Sequence, residues 1–443
     1  MELPKAFENA MKSLFGEEYE EFLKSYEVPA RRGLRRNPLK CSEEQLLQSL
    51  PFSLEPTPFS PLSFYFESGE EKMGYLPAHH AGLFYIQEPS ACSAVTALDP
   101  QLGETVLDLC AAPGGKSTQI AGLLQGQGLL WSNEIVKNRA QVLLSNTERL
   151  GVRNGVVSSC HPQRLCEALQ GFFDRVLVDA PCSGEGMFRR DPEAVAQWSP
   201  ESVPACAQRQ RAILDSAALA VKEGGVLVYS TCTFSKEENE DNVEWFLGAH
   251  PEFEMVPLDL PFGRPGIHGL PVRRIYPMDG GEGHFVAKFR RVGENSCRAG
   301  TFGQFLSGKE EEEARNLFQE LFSCEFPGNA ARFGERLYLL PNGLPELDRL
   351  GVLRAGVELA QRKGRRWEPS HGVFQSARKE ECRQVLDLPW DAPELSAFLR
   401  GEEIDCDGKG YTALCAGGVP TGFGKASGGR LKNHYPKGLR NLR

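Results

Sequence analysis

Residues 105–124 read TVLDLCAAPGGKSTQIAGLL, and this stretch decides the fold class. The apolar run at 105–109 predicts a β-strand, and the residues from Lys116 onward carry apolar side chains at helical spacing. A short loop with adjacent glycines, Gly114 and Gly115, joins the two. Strand, tight loop and helix in this order form the repeating unit of a parallel sheet.

The same alternation continues along the chain. Further strands are predicted at 129–134, 154–159, 175–180 and 225–232, with helical patterns between them. The sequence therefore predicts an α/β fold, a Rossmann-like sheet with helices on both faces. A last strand, parallel or antiparallel, is expected at 283–291. Ser235, with Glu238 three residues later, predicts a capping box at the start of the helix after 225–232.

Residues suited to chemistry follow these strands. Cys110 comes after the first, Glu134 ends the second, Asp179 and Cys182 follow the fourth, and Cys232 ends the fifth. In open parallel sheets, ligands bind beyond the carboxyl ends of the strands. We therefore expect these side chains to converge on one site.

The glycine-rich loop has two interpretations. A phosphate-binding loop has the pattern GxxxxGK[ST], which Gly115, Lys116 and Ser117 match, but Cys110 stands in place of the opening glycine. A loop for a nucleoside cofactor also uses glycines so that the backbone can approach the ligand closely. Glu134 lies 19 residues after Gly115, at the end of the next strand. An acid there binds ribose hydroxyls in dinucleotide folds, which favours the nucleoside.

Bulk composition limits the class of protein. The chain of 443 residues is long enough for several domains. Its 13 cysteines are scattered without zinc-ligand spacing, so we expect neither a structural metal nor a disulfide framework. No apolar run reaches the roughly 18 residues that span a bilayer, and the N-terminus lacks the features of a signal peptide. A cytoplasmic monomer without a membrane span is expected.

The net charge of −9 hides local basic clusters. They lie at 31–40, at 362–366 and at 424–443, where six Lys or Arg occur without any Asp or Glu. Patches of this kind determine binding to polyanions better than the total charge does. The candidate RNA-binding residues are Arg31, Arg32, Arg35, Arg36, Lys432 and Lys437.

Three motifs together resemble one known family. DLCAAPGGKST, DAPCSGEGMFRRDP and YSTCTFSKEENEDNV are similar to motifs of RNA 5-methylcytosine methyltransferases that use S-adenosylmethionine. The segments at 85–91 and 280–289 resemble further blocks of that family. The end of the chain, GKASGGRLKNHYPKGLR, resembles the C-terminal extension of its RsmF-like bacterial branch, which modifies small-subunit ribosomal RNA. The resemblance covers nearly the whole chain.

The resemblance implies a class I methyltransferase and a role for each site residue. Cys232 attacks carbon 6 of cytosine, Cys182 assists release of the product, and Asp179 binds the cytosine ring edge. Sequence position alone does not decide which cysteine attacks. The cofactor contacts are Glu134, Asp179 and the loop residues Cys110, Ala111, Ala112, Pro113, Gly114, Gly115 and Lys116. In place of an acid that the family often carries after the third strand, this chain has Cys160 and His161.

The expected organisation has four parts. They are an N-terminal RNA-binding region at 1–75, the methyltransferase domain at 76–291, a linker and intermediate domain at 292–366, and a PUA-like RNA-binding domain at 367–443. A P-loop-like NTPase and a non-catalytic RNA-binding protein remain as alternatives. Binding of ATP with magnesium, or RNA binding without S-adenosylmethionine binding, would distinguish them.

Overall fold

The computed structural model describes residues 3–67 and 72–441. Its first part contains a four-stranded antiparallel sheet in the order β2-β3-β1-β4, with two amphipathic helices before it. The elements are α1 (Lys5–Phe15), α2 (Tyr19–Ser25), β1 (Gly33–Arg36), α3 (Glu43–Gln48), β2 (Leu54–Pro56), β3 (Ser63–Phe66), α4 (Pro77–His80) and β4 (Phe84–Ile86).

The central part alternates strands and helices, as predicted. Its strands are β5 (Thr105–Asp108), β6 (Leu129–Asn133), β7 (Gly155–Ser158), β8 (Phe173–Asp179), β9 (Val221–Thr231), β10 (Phe253–Met255), β11 (Arg273–Ile275) and β12 (His284–Arg291). Its helices are α5 (Ser93–Leu98), α6 (Gly115–Leu124), α7 (Lys137–Arg149), α8 (Pro162–Ala168), α9 (Pro192–Gln197), α10 (Ser202–Ala220) and α11 (Glu240–Ala249).

The order of the central sheet is β10-β12-β9-β8-β5-β6-β7-β15, where β15 (Val352–Ala355) comes from the chain after the central part. The five strands from β9 to β7 run parallel, and β12 is antiparallel to β9, which settles the direction that the sequence left open. From β5 the chain continues to β6 and β7 on one side of that strand, and it then crosses to β8 on the other side. The topological switch point therefore lies between β5 and β8. A ligand crevice is expected at their carboxyl ends.

Both faces of this sheet are covered. Val106 and Leu107 are consecutive on β5, project to opposite faces, and are both completely buried in separate apolar clusters. Side chains alternate along a strand, so a strand that buries consecutive apolar side chains must be covered on both faces. The fold is therefore the predicted Rossmann-like sheet with helices on both faces.

The predicted capping box at Ser235 is wrong. The helix begins at Glu240, and Asn239 precedes it without a side-chain cap. Ser235 Oγ does accept a hydrogen bond from the Glu238 backbone N–H at 3.2 Å. The Glu238 carboxylate, however, accepts from the backbone N–H of Ser183 instead of returning to Ser235. A tertiary contact has replaced the local one.

The chain after the central sheet forms two further sheets, in the orders β13-β14-β16-β17 and β18-β20-β21-β22-β19. The elements are α12 (Gly308–Leu321), β13 (Ala330–Phe333), β14 (Arg336–Leu339), β15 (Val352–Ala355), β16 (Val357–Lys363), β17 (Arg366–Pro369), α13 (His371–Ser376), β18 (Val385–Leu388), α14 (Pro393–Arg400), β19 (Ile404–Asp405), β20 (Gly410–Ala416), β21 (Val419–Ser427) and β22 (Arg430–Asn433).

Two expected domain boundaries fall inside sheets. β4 pairs with β1, so the N-terminal sheet extends beyond residue 75. β17 pairs with β16, so a boundary at residue 367 divides a hairpin. In addition, β15 pairs antiparallel with β7 and extends the central sheet. Backbone pairing decides these boundaries, in the hairpin locally and for β4 and β15 over long distances, and the composition of the chain does not reveal such pairing.

The C-terminal parts share a core with what precedes them. Phe374 stacks on Phe423 with ring centroids 4.5 Å apart, which joins α13 to β21. The Gln375 side-chain amide donates to the backbone carbonyls of His80 at 3.1 Å and Arg149 at 2.9 Å. Removing residues 367–443 would therefore expose apolar surface, so charge substitutions test RNA binding better than truncation. Over the described ranges, no helix is long and apolar enough to cross a bilayer.

Candidate active site

A cleft of about 620 Å³ lies at the carboxyl edge of β5, β6, β8 and β9. The side chains that the sequence singled out at the strand ends meet there, as parallel strands require. Of the predicted site residues, those lining the cleft are Cys110, Ala112, Glu134, Asp179, Cys182 and Cys232. The other predicted loop residues, Ala111, Pro113, Gly114, Gly115 and Lys116, do not belong to its lining.

The glycine-rich loop is held rigidly. Gly114 has φ +114° and precedes α6, a conformation that favours glycine because it has no Cβ. The carbonyl of Ala112 accepts from Arg139 Nη2 at 3.0 Å, and that of Pro113 accepts from Asn146 Nδ2 at 2.9 Å. Both donors belong to α7. The loop is therefore positioned by its neighbouring helix before any ligand binds.

Arg35 has a different role from the one expected. It was predicted to bind RNA, but only 1% of it is exposed. Its guanidinium donates to Thr118 Oγ1 at 2.7 Å and also to the carbonyl of Gly115. Burial lowers the pKa of Arg35 to about 10, so it stays charged at neutral pH. Arg35 thus fixes the start of α6, and a phosphate cannot reach it.

The Glu134 carboxylate lines the cleft beside exposed apolar residues. Its side chain is 3% exposed, accepts from the Val136 N–H at 2.9 Å and lies 3.2 Å from Arg139. Ile135 and Val136 line the same cleft and are 53% and 48% exposed. A carboxylate beside aliphatic side chains suits a ribose and its attached base.

The structure distinguishes Cys160 from His161, the two residues that stand where the family often carries an acid after the third strand. Cys160 is 6% exposed, and its N–H donates to Asn133 Oδ1 at 3.0 Å. His161 is exposed and lines the cleft with Pro162. His161 therefore occupies the position open to a ligand, while Cys160 packs in the core.

Asp179 is held by two donors. Lys116 Nζ lies 2.8 Å from Oδ2, and Ser230 Oγ donates to Oδ1 at 2.8 Å. Burial alone would lower the pKa of Lys116, but the Asp179 carboxylate raises it above its ordinary value. Lys116 therefore connects the glycine-rich loop to β8 as a cation, across the switch point of the sheet.

The two cysteines of the motifs are in direct contact. Cys182 Sγ and Cys232 Sγ are 3.1 Å apart, and both thiols are free. The Cys232 N–H also points to Cys182 Sγ at 3.3 Å. Hydrogen bonding to Cys232 and burial raise the pKa of Cys182 well above its ordinary value. Cys182 is therefore a thiol in the free protein, and it must lose its proton before it can act as a base.

The loops that carry these cysteines are joined by a buried acid. Glu185 is 2% exposed and accepts from Thr233 Oγ1 at 2.8 Å and from the Phe234 N–H at 3.0 Å. Burial raises the pKa of Glu185 to about 7. The Gly186 N–H donates to the carbonyl of Cys232 at 2.9 Å. Glu185 was missed from the sequence, although its place three residues after Cys182 inside a motif was a usable signal.

A second buried cluster lies on the N-terminal side. His284 Nδ1 is 2.9 Å from Ser90 Oγ, which lies 2.6 Å from Glu88 Oε2. Burial lowers the pKa of His284 to about 4, so it is neutral. His284 is therefore a neutral, hydrogen-bonded residue of the core and does not belong to the lining of the cleft.

The remaining candidate RNA-binding residues lie near the surface. Arg31 and Arg32 are exposed, and Arg36 is half-buried and donates to the carbonyl of Cys41 at 2.8 Å. Lys432 and Lys437 are exposed as well. RNA contact by these residues stays a prediction.

Comparison with protein families matches four models along the chain. Residues 3–89 match the N-terminal domain of 16S rRNA methyltransferase RsmF, and residues 95–290 match 16S rRNA methyltransferase RsmB/F. Residues 316–373 match the first C-terminal domain of RsmF rRNA methyltransferase, and residues 385–441 match the methyltransferase RsmF PUA domain.

Similar full-length proteins are ribosomal RNA small subunit methyltransferases F. The one from Serratia proteamaculans is 34% identical, over 99% of this chain and 96% of its own length. The one from Vibrio vulnificus is 33% identical, over 99% and 97%. Among solved structures, a methyltransferase homolog protein from Pyrococcus horikoshii is 31% identical with a TM-score of 0.58, over 65% of this chain and 95% of that one. NSun6 from the same organism, solved with SFG, is 26% identical with a TM-score of 0.59, over 66% and 99%.

Treatment of the folded protein with diamide is expected to join Cys182 and Cys232 in a disulfide, because their sulfurs are 3.1 Å apart. The reaction should be faster at pH 9 than at pH 7, since a thiolate must attack and the pKa of Cys182 is raised. Peptide mapping by mass spectrometry after alkylation measures the cross-link. Cys297 and Cys324, which are both exposed, should stay free of this cross-link and should therefore be found alkylated. Recovery of alkylated Cys182 and Cys232 under these conditions would contradict the contact.

Proposed function

The chain belongs to the RsmF family of small-subunit ribosomal RNA methyltransferases, and we propose that it methylates carbon 5 of cytosine through a covalent cysteine adduct. The observation that carries this proposal is the contact of Cys182 with Cys232 at 3.1 Å, in the cleft that also contains Asp179. A reaction that needs only a nucleophile would require one thiol at the site. A pair at one reaction centre fits a reaction that needs both attack and release.

S-adenosylmethionine is the cofactor that we assign to the cleft, where it would supply the methyl group on a sulfonium. The fit rests on this chain's residues: Cys110 and Ala112 of the glycine-rich loop line the cleft, and Glu134 is placed for ribose hydroxyls. Ile135 and Val136 offer an apolar surface to the base. The volume of about 620 Å³ suits a ligand of nucleoside size or larger.

Two thiols divide the chemistry. Carbon 5 of cytosine is a weak nucleophile until a thiolate adds to carbon 6, and we assign that addition to Cys232. After methylation, the proton on carbon 5 must leave before the bond between carbon 6 and sulfur can break. We assign acceptance of that proton to Cys182, because its sulfur lies 3.1 Å from the attacking sulfur in the same cleft. Cys232 then departs as a thiolate.

Asp179 and Lys116 act together at the ring edge. Addition to carbon 6 places electron density on nitrogen 3, which must be neutralised. The Asp179 carboxylate reaches the cleft, and Lys116 Nζ is 2.8 Å from its Oδ2. The pair therefore offers both a hydrogen-bond partner for the ring and a nearby proton.

This geometry does not favour the P-loop alternative. A P-loop lysine must extend to the β- and γ-phosphates of a nucleotide. Lys116 is 12% exposed and is engaged with Asp179. A non-catalytic RNA-binding protein would have no use for two sulfurs in contact at the edge of a cofactor-sized cleft.

The RNA itself is proposed to bind the N-terminal region and the PUA domain, largely through phosphate charge. Lys425 on β21 is paired directly with Lys432 on β22, and both are exposed. Like charges opposite one another destabilise a sheet unless an anion compensates them. Neither lysine has a carboxylate partner among the residues that the structure describes. A phosphate group would relieve this repulsion.

Substitution of the two cysteines should have unequal effects. With RNA and S-adenosylmethionine, Cys182→Ala should attack and methylate but stall as a protein–RNA adduct that migrates slowly on a denaturing gel. Cys232→Ala should form no adduct. Cys297→Ala, at an exposed thiol, is the control and should retain activity. The opposite pattern would exchange the two roles, and full activity in both variants would exclude the covalent mechanism.

Glu134→Ala should weaken S-adenosylmethionine binding by about 1–3 kcal/mol, because ribose hydroxyls would lose their buried acceptor. Isothermal titration calorimetry measures the affinity. Glu167→Ala, at an exposed glutamate on α8, serves as the control and should leave it unaltered. An unchanged affinity in Glu134→Ala would remove this residue from the cofactor site.

The double variant Lys425→Gln and Lys432→Gln should weaken RNA binding and flatten its dependence on salt. Loss of two phosphate contacts lowers the slope of log K against log salt by roughly 1–2. Filter binding at several salt concentrations measures the slope, and calorimetry should find cofactor affinity retained. Lys309→Gln, at an exposed lysine on α12, is the control. An identical slope would place RNA elsewhere.

A further inference from the structure

A network of buried polar side chains lies beneath the Cys182 loop, apart from the residues that line the cleft. Its members are completely buried, at 0% exposure, and come from four different elements or loops. They are Gln210 on α10, Tyr229 on β9, Glu238 in the loop before α11, and Asn242 on α11. Burying four polar side chains is costly unless their hydrogen bonds are satisfied in one arrangement.

The network binds the backbone on both sides of Cys182. Glu238 Oε2 accepts from the Ser183 N–H at 3.0 Å, one residue after the cysteine. Gln210 Nε2 donates to the carbonyl of Pro181 at 3.0 Å, one residue before it. The same Gln210 nitrogen donates to Glu238 Oε2 at 2.7 Å. Both peptide groups that flank Cys182 are therefore held by one pair of side chains.

The pair is itself oriented by its neighbours. Gln210 Oε1 lies 3.0 Å from the Tyr229 hydroxyl and accepts from Asn242 Nδ2 at 2.8 Å, which fixes its amide with the nitrogen toward Pro181. Asn242 in turn accepts from Arg211 Nε at 2.8 Å. The position of Cys182 thus depends on a chain of contacts that reaches the outer helix α10.

Burying Glu238 beneath the Cys182 loop costs folding free energy. Its second oxygen, Oε1, is buried without a hydrogen-bond partner among the residues described. Its carboxyl also gives up the local cap at Ser235 for the contact with Ser183. A buried acid with an unsatisfied oxygen destabilises the fold relative to an apolar residue, so its placement points to function.

We propose that Glu238 and Gln210 are positioning residues for Cys182 in the release step, an inference that rests on the function proposed above. In that step Cys182, whose own proton has first passed to solvent, acts as a thiolate: the bond between carbon 5 and its proton breaks, and the Cys182 sulfur takes that proton. The electron pair re-forms the double bond between carbons 5 and 6, and Cys232 leaves as a thiolate. Only the proton transfer requires Cys182 to be aligned.

The effect should fall mainly on release, because Cys232 keeps hydrogen bonds that involve neither Glu238 nor Gln210, although Ser183 Oγ also lies 2.9 Å from Thr233 Oγ1. The Cys232 carbonyl accepts from the Gly186 N–H at 2.9 Å. The residues after Cys232, Thr233 and Phe234, are bound by Glu185. Attack therefore has its own supports, and loosening the Cys182 backbone should leave it able to proceed.

The test measures adduct and turnover together. Glu238→Leu removes the acceptor for Ser183 at similar size, whereas Glu238→Gln can keep an oxygen facing Ser183 and Gln210. With RNA and S-adenosylmethionine, Glu238→Leu should lose about tenfold or more in turnover and accumulate protein–RNA adduct on a denaturing gel. Glu238→Gln should recover most of the turnover with little adduct. Gln210→Leu should resemble Glu238→Leu, and Glu254→Leu, at an exposed glutamate on β10, is the control.

Each outcome has one meaning. If adduct formation in Glu238→Leu and Gln210→Leu falls in parallel with turnover, the network is merely structural and the inference is wrong. If Glu238→Gln is as impaired as Glu238→Leu, the hydrogen bond to Ser183 is not what matters, and the inference also fails. If Cys182→Ala accumulates no adduct while the unaltered protein methylates RNA, the proposed cysteine roles fail first. Melting temperature and cofactor affinity of each variant confirm that it is folded.

Discussion

Hydrogen bonds between the loops after β8 and β9 determine where the sulfurs of Cys182 and Cys232 lie. The loops are adjacent because β8 and β9 pair in parallel, and buried carboxylates then join them at the backbone. Glu185 holds the residues after Cys232, and Glu238 holds the residue after Cys182. A buried acid that accepts several N–H and O–H donors fixes a loop more strongly than apolar packing, because hydrogen bonds have directions. The 3.1 Å contact between the sulfurs is the result.

The switch point of the sheet brings cofactor and substrate chemistry together. The glycine-rich loop follows β5, Asp179 ends β8, and these strands are neighbours in the sheet. Lys116 connects them through its ammonium group. A ligand on the loop and a base against Asp179 would therefore share one wall, which is the arrangement that transfer of a small group between two bound molecules requires.

The parts proposed to bind RNA are built into the catalytic part. Arg35 from the N-terminal sheet binds the start of α6, and β15 from the chain after the central domain extends the central sheet. The stacked rings of Phe374 and Phe423 join the PUA domain to the part before it. Because these contacts are buried and apolar or fully hydrogen-bonded, the surfaces for RNA keep a defined position relative to the cleft.

The sequence alone determined the α/β alternation, the position of the site and its principal residues, because strand and helix periods and the spacing of Gly114, Asp179 and Cys232 are local properties. The tertiary structure decided which basic residues are exposed and which acids are buried. It also decided where distant strands pair with a sheet. Arg35 reads like its neighbours in the sequence, yet it is buried, and Glu238 looks like a helix cap, yet it binds Ser183. Long-range hydrogen bonds outweighed local preference at both, because a buried charge must find its partner wherever the fold provides one.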